Sequence, residues 1–202
     1  MNSQSESTNE SLLSRARRKD SQAWDELVQL YGPLIVFWLR RSGLDVQQSS
    51  DGVQEVFAAV IRGLSAYQPK RESGSFRAWL WTITRNKVRD FHRRNSHLPT
   101  AQGGSAALRE LNEIPDSLYN SDSEPTDDNQ YQLLVARALA QVQPEFEDKT
   151  WRIFHRSVID RISSDLVAEE FGVTPAAVRK VRSRILRRLR QQLGDIEDTS
   201  SE

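Results

Sequence analysis

The stretch SSDLVAEEFGVTPAAVRKVRSR, residues 163–184, carries the strongest structural signal in the chain. Gly172 allows the positive φ of a tight turn. Thr174 can cap the next helix, and Pro175 suits the first position of that helix because no amide hydrogen is required there. Small or apolar side chains stand where two crossing helices would touch, at Val167, Ala168, Phe171, Val178 and Val181. The stretch therefore predicts a helix-turn-helix.

The second helix of this motif separates apolar from basic side chains. Its apolar residues, beginning at Val178, recur at helical spacing and share one face. Residues 176–190 contain seven basic groups and no acidic one, and like charges at this spacing repel each other. Phosphates would neutralise the repulsion, which favours a DNA-reading motif over an ordinary corner between two helices. We expect residues 174–183 to enter a major groove and the later arginines to contact the DNA backbone.

The composition of the whole chain excludes several classes of protein. Of 202 residues, 37% are hydrophobic and 28% charged, so the chain can bury a core and is not wholly disordered. Its longest apolar run, LIVFWL at 34–39, is too short to span a membrane. The absence of cysteine excludes disulfide frameworks and thiolate zinc sites. The polar first ten residues lack the apolar core of a signal peptide, so we expect a cytoplasmic protein.

The zero net charge conceals an alternation of basic and acidic segments. Residues 1–95 carry 15 basic and 10 acidic groups, whereas residues 96–148 carry 2 and 10. Residues 149–194 carry 11 and 4, and the tail 195–202 has 4 acidic groups and no basic one. Two basic blocks separated by an acidic one predict two modules that each bind a polyanion.

The expected fold class is all-α, with two small helical domains joined by a flexible acidic linker. Residues 96–130 combine Gly-Gly, three prolines and many Ser, Asp and Asn side chains, a composition that cannot offset its ordering entropy by burial. We expect a linker there, with a short helix around 105–113. The predicted parts are a disordered tail at 1–8, a helical bundle at 9–95, the linker, a four-helix domain with the helix-turn-helix at 131–194 and an acidic tail at 195–202.

The bundle at 9–95 is predicted to begin with two amphipathic helices. Asp20 can cap the first, which is expected to kink or restart at Gly32-Pro33. Residues 49–51, Ser-Ser-Asp, are predicted to start the second helix, with Gln54 in capping-box position. Apolar residues then follow at helical spacing, and no alternating strand pattern competes with them.

The last predicted helix of the bundle, FRAWLWTITRNKVRDFHRR at 76–94, interleaves aromatic and basic residues. Such interleaving suits single-stranded DNA, whose bases stack on rings while cations follow the backbone. Trp79 and Trp81 point in nearly opposite directions on a helical wheel, so one buried stripe cannot hold both, although a plain core role remains the alternative. Asn86 and Asp90 can either form hydrogen bonds with base edges or pair with neighbouring side chains of the same helix.

Four segments of the chain resemble a known family in sequence and in order. LLSRARRKDSQAWDELVQLYGPLI at 12–35, DGVQEVFAAVIRGLSAY at 51–67 and the helix at 76–94 resemble region two of the sigma-70 family. Residues 138–193, which include the helix-turn-helix, resemble region four. This two-domain arrangement is similar to the extracytoplasmic-function (ECF) subfamily of bacterial sigma factors. One departure is Gly52, which stands where the family usually has Leu.

The resemblance implies a role for each matching position. Core RNA polymerase would be bound by Asp51, Gln54 and Glu55. The minus-ten single strand would be bound by Lys70, Arg71, Trp81, Asn86, Lys87, Asp90, Arg93 and Arg94. The minus-thirty-five duplex would be read by Thr174, Ala176, Ala177, Arg179, Lys180, Ser183, Arg184 and Arg187. Physically, Gln54 and Glu55 are predicted to face away from the apolar stripe of their helix, whereas Phe57 is predicted to be core.

The function implied is a sigma factor that binds core RNA polymerase and directs promoter recognition, DNA melting and transcription initiation. Its expected partners are core polymerase and promoter DNA. An anti-sigma protein is a further expected partner, since many relatives have one. The expected location is the cytoplasm, on the nucleoid when the chain is bound to polymerase. No cofactor, metal site or catalytic residue is expected, since three scattered histidines form no ligand set. One alternative is a stand-alone helix-turn-helix regulator that binds duplex operators. The other is a metal-independent helical hydrolase, which only scattered carboxylates support.

Overall fold

The computed structural model describes residues 11–68, 75–96 and 127–194, and every regular element within them is helical. This confirms the predicted all-α class. The α-helices of these ranges are α1 Leu12–Arg17, α2 Ser21–Arg41, α3 Val46–Gly63, α4 Phe76–Ser96, α5 Asp128–Val142, α6 Asp148–Phe154, α7 Ser164–Phe171 and α8 Pro175–Gln192. A 3-10 turn, Gln143–Glu145, follows α5, and a π-helical turn, His155–Ile159, follows α6. The predicted helix near 105–113, most of the predicted linker and both tails lie outside the described residues.

The start of α2 is fixed by the cap expected from the sequence. The Asp20 carboxylate accepts hydrogen bonds from the backbone N–H of Gln22 at 2.9 Å and of Ala23 at 3.3 Å. The helix then continues through Pro33, so a restart at that position is wrong, whereas the alternative of a kink stays a prediction. A proline inside a helix removes one backbone donor, and Gly32 before it presents no Cβ to the proline ring.

The helix α3 begins earlier in the chain than predicted. Asp45, not the Ser-Ser-Asp stretch at 49–51, caps the helix: its carboxylate accepts from the Gln48 backbone N–H at 2.8 Å. The Gln48 side chain accepts in return from the Asp45 N–H at 2.9 Å, which completes a capping box. The predicted start, with Asp51 and Gln54, is wrong. The same Asp-x-x-Gln spacing occurs six residues earlier, at Asp45 and Gln48, where the helix begins.

The described residues group into two compact units. Unit 1 contains the residues up to Glu26 and those from Val135 onward, and unit 2 contains residues 27–134. The predicted bundle at 9–95 is thus shared between them, since α1 and the first turns of α2 group with unit 1. The functional division of the chain at 9–95 and 131–194 stays a prediction.

Aromatic rings form the core of unit 2. Trp38 of α2 meets Trp81 of α4 edge to face, with ring centroids 5.4 Å apart. Phe76 makes similar contacts with Tyr31 at 5.1 Å and with Tyr67 at 5.6 Å. All five side chains are buried. These contacts fix α4 against α2 and so determine which of its faces is exposed.

Gly52 of α3 lies against the Leu39 side chain of α2. A Cβ built at this position would lie 2.9 Å from Cδ1 and 3.3 Å from Cδ2 of Leu39. Leu39 is itself fully buried, so it has no open space into which to move. A side chain at position 52 would therefore crowd Leu39, which favours glycine there.

The helix-turn-helix forms the core of unit 1 together with α6. Gly172 takes a positive φ of 63° at the end of α7, as its position in the sequence predicted. The core consists of Ile153, Val167, Ala168 and Val178, with Ile162, Phe171, Val173 and Val181 packed around it. The predicted apolar contacts between α7 and α8 are thus confirmed.

The carboxylate and backbone of Glu26 connect four helices of unit 1. Its side chain receives two hydrogen bonds from the Arg15 guanidinium, at 3.0 and 3.1 Å, and one from the Gln192 amide at 3.1 Å. Its backbone carbonyl accepts from the Gln141 amide at 3.1 Å. Through this residue α1 and the start of α2 are held to the last turns of α5 and α8.

Candidate nucleic-acid interface

The exposed face of α8 carries four cations within three helical turns. Arg179, Lys180, Arg184 and Arg187 are all exposed. Within residues 11–68, 75–96 and 127–194, none of them forms an ion pair. Like charges at helical spacing repel one another. Binding of an external polyanion would neutralise this repulsion and so stabilise the face.

Buried residues on the opposite side of α8 determine the direction of this face. Val178 and Ile185 are fully buried and hold the rotation of the helix. The Thr174 hydroxyl accepts from the Ala177 backbone N–H at 3.2 Å, which caps the helix where the sequence predicted. The remaining predicted duplex-reading positions are exposed, at Thr174, Ala176 and Ser183, or half-buried, at Ala177. The structure therefore brings all eight predicted residues to one end and one side of α8.

Arg184 is oriented by an aromatic ring from outside α8. Its guanidinium lies over the Phe146 ring, 5.2 Å from the centroid, and Phe146 in turn contacts Trp151. Between Phe146 and α8 runs a groove of about 680 Å³, and Lys180 and Arg187 contribute to its wall. Stacking of this kind leaves the N–H groups at the edges of a guanidinium available to donate hydrogen bonds to a phosphate.

The second predicted cationic surface lies on α4, and acidic residues neutralise part of it. Asn86, Arg93 and Arg94 are exposed, and Lys87 is half-buried. Arg93 donates to the Asp90 carboxylate at 3.0 Å, one turn earlier on the same helix. Asp90 therefore forms the local pair that the sequence left open, whereas Asn86 is exposed and its contact with DNA stays a prediction.

Trp81 does not belong to this surface. Its side chain is only 3% exposed and is covered by Trp38, so the predicted role of stacking on a DNA base is wrong for this residue. Trp79 is half-buried between Tyr67 and Phe76. The two tryptophans point in nearly opposite directions, yet both find packing partners because α4 is covered on more than one side.

The predicted polymerase-binding residues of α3 differ in their surroundings. Asp51 and Gln54 are exposed. Glu55 is half-buried, and its carboxylate lies 3.2 Å from Lys87 Nζ and 3.5 Å from Arg94 Nη2. Burial raises the pKa of Glu55, but the two cations outweigh this effect and the pKa lies below its ordinary value. Glu55 is therefore engaged by two cations of α4, and its predicted contact with polymerase stays a prediction.

Two further predicted minus-ten residues, Lys70 and Arg71, lie outside the described residues. In the part of the chain that the structure covers, no three His, Asp or Glu side chains converge as metal ligands. In the same ranges, no helix has both the length and the apolar character to cross a bilayer.

Comparison with known proteins matches the region that builds α2 to α4. The family model of sigma-70 region 2 matches residues 27–97. The match begins at the first residue of unit 2 and extends just past the end of α4. It therefore includes the α3–α4 pair, with its Glu55 ion pairs, and the exposed cations of α4.

Individual relatives extend the similarity over the rest of the chain. RNA polymerase sigma factor CarQ of Myxococcus xanthus is 26% identical over 185 residues, which cover 92% of this chain and 97% of the relative. ECF RNA polymerase sigma factor RpoE of Cereibacter sphaeroides is 28% identical over 201 residues, covering 96% and 99%. RNA polymerase sigma factor CnrH of Cupriavidus metallidurans is 33% identical over 82 residues, 41% of each chain. The chain therefore matches the sigma-70 family over region 2 and is similar, over nearly its whole length, to RNA polymerase sigma factors that include one of the extracytoplasmic-function subfamily.

Proposed function

We propose that this chain is a sigma factor whose promoter recognition is divided between two helices, α8 for duplex DNA and α4 for melted DNA. A role in transcription initiation and DNA binding is supported by the sigma-70 region 2 match and by the similarity to named sigma factors. The observation that carries the division is the face of α8, where four exposed cations lack an acidic partner among the described residues. On α4, by contrast, cations are shared with carboxylates.

In the proposed complex α8 lies in the major groove of the minus-thirty-five element. Its first turns, from Thr174 to Ser183, approach base edges, and the hydroxyls there can donate or accept hydrogen bonds. Arg184 and Arg187 contact phosphates and fix the register of the helix on the duplex. Base contacts set specificity, while the phosphate contacts supply salt-dependent affinity.

The minus-ten strand is assigned to the exposed part of α4, with Asn86, Lys87, Arg93 and Arg94 as its contacts. Cations follow the backbone of a single strand, and the Asn86 amide can bond a base edge. The predicted contacts of Lys70 and Arg71, which precede α4 in the sequence, remain part of this proposal. Unstacking a base costs a few kcal/mol, which these contacts must offset.

Core polymerase is assigned to the exposed residues of α3, Asp51 and Gln54, with Glu55 beside them. The proposal also includes a cytoplasmic location, association with the nucleoid through polymerase, and an anti-sigma protein as a further partner. It assigns no catalytic step to the chain. A stand-alone regulator that binds duplex operators would leave the exposed cations of α4 unexplained.

The proposal is tested by selecting genomic fragments with reconstituted polymerase. Core polymerase is incubated with the purified chain and a fragment library at moderate salt, and the retained DNA is sequenced. We expect fragments that share two short motifs at fixed spacing, retained only when chain and core are both present. Retention by the chain alone, with a palindromic motif, would instead support the stand-alone regulator.

A further inference from the structure

The Glu55 carboxylate contacts two of the cations proposed for single-strand binding. Its Oε2 atom lies 3.2 Å from Lys87 Nζ and 3.5 Å from Arg94 Nη2, across the interface between α3 and α4. The side chains of Lys87 and Arg94 remain 25% and 60% exposed, so a ligand in solvent can reach both. A carboxylate in this position holds the cations where a phosphate would hold them.

We propose that Glu55 is an internal substitute for a DNA phosphate, which occupies Lys87 and Arg94 in the free protein and so weakens its binding to single-stranded DNA. The inference rests on the proposed role of α4 and names a regulation of that site. A phosphate that binds both cations must displace the carboxylate or accept its repulsion. Since α3 also carries Asp51 and Gln54, a polymerase group that attracts Glu55 would release the cations for DNA.

The geometry distinguishes Glu55 from the other acidic residue of this surface. Asp90 lies on α4 itself and pairs with Arg93 at i,i+3, a spacing that is common on exposed helices. Glu55 comes from another helix and is 39 positions away in sequence from Arg94. Its carboxylate is also kept ionised by the two cations, which hold its pKa below the ordinary value against the effect of burial.

The test is the substitution Glu55→Gln, which keeps the size of the side chain and removes its charge. Binding of the free full-length chain is measured to a fluorescent single strand of mixed sequence and about 12 nucleotides, a length that one such surface can cover. Exposed ion pairs are individually weak, so we expect binding to tighten about threefold to tenfold at low salt. The slope of log affinity against log salt should steepen by about 0.7, as for one added phosphate contact.

Asp25→Asn is the matched control, because it removes the same charge from an exposed position on α2. It should leave the single-strand affinity within twofold of the parent. Thermal melts of both variants check that the fold is retained. If Glu55→Gln binds no tighter than Asp25→Asn, or binds more weakly, the inference is contradicted.

A double substitution separates this inference from the proposed function. Lys87→Gln with Arg94→Gln should weaken single-strand binding, and it should cost more in the Glu55→Gln background than in the parent. A loss of equal size in both backgrounds would contradict the masking role alone. If the double substitution changes nothing in either background, the assignment of single-stranded DNA to α4 fails, and the inference fails with it.

Discussion

Arg188 and Glu145 form a two-pronged ion pair that joins α8 to the 3-10 turn after α5. The Arg188 Nε and Nη2 atoms donate to the two carboxylate oxygens of Glu145 at 2.7 and 2.6 Å. The Arg188 side chain is 6% exposed, so the pair is largely removed from water. One of the seven basic groups of the α8 sequence is therefore structural, whereas Arg184 and Arg187, on the same helix, face outward.

The substitution Glu145→Gln should destabilise the chain. Removing one partner leaves a buried guanidinium without its counter-charge, and we expect a loss of about 2–3 kcal/mol, since Glu145 keeps some contact with solvent. Urea unfolding measures the change. Glu147→Gln removes an exposed carboxylate two residues away and should change stability by less than about 0.5 kcal/mol; equal effects of the two would contradict the structural role of the pair.

Val178→Asp should unfold the helix-turn-helix. The side chain is fully buried between α7 and α8, and an unpaired carboxylate there has neither water nor a hydrogen-bond donor. The expected loss is about 4 kcal/mol or more. Leu166→Asp places the same charge on α7 at a position that is 59% exposed, and should be tolerated. Far-ultraviolet circular dichroism with thermal melts compares them, and a folded Val178→Asp variant would overturn the packing described.

Gly52→Ala should lower stability although alanine favours helices. The new methyl group would meet Leu39 at 2.9 Å in a closed core, and overpacking costs about 1–3 kcal/mol, which exceeds the helix gain of about 1 kcal/mol. Chemical denaturation of the single variants and of Gly52→Ala with Leu39→Ala forms a double-mutant cycle. The effects should be far from additive, because removing the Leu39 side chain makes room for the methyl group. Strict additivity would show that the two residues do not touch.

The substitutions Arg179→Ala and Lys180→Ala should weaken binding of the reconstituted polymerase to duplex DNA about fivefold or more each. Loss of a phosphate contact also reduces the salt slope by about 0.9. Fluorescence anisotropy with a fragment that polymerase retains measures both quantities. Lys149→Ala, an exposed cation on α6, is the control for charge alone. Affinity for core polymerase should not change, and an equal loss there would refute the assignment of these residues to DNA.

The helix-turn-helix could be predicted residue by residue because its signals are local. Gly172, Thr174 and Pro175 each have a conformation that their own chemistry selects, and the spacing of Val178 and Val181 defines the buried face. The outward direction of the cations follows from that face. No knowledge of the rest of the chain was needed for these predictions.

The sequence could not predict features for which a second element decides the outcome. Trp81 is buried because Trp38 of α2 covers it, and Glu55 is paired because α4 presents two cations to it. A helical wheel, which shows one helix alone, includes neither Trp38 nor the two cations of α4. The start of α3 is a different case, since Asp45 and Gln48 form the same motif as Asp51 and Gln54, and only the structure selects between them.

The most direct test of the central claim is transcription from a retained genomic fragment by purified core polymerase. The account predicts transcripts from one start site that require this chain, that disappear with Arg179→Ala and Lys180→Ala combined, and that disappear with Lys87→Gln and Arg94→Gln combined. If no retained fragment gives a start site that depends on the chain, or if both double variants initiate as the parent does, two cationic helices of this protein do not direct initiation.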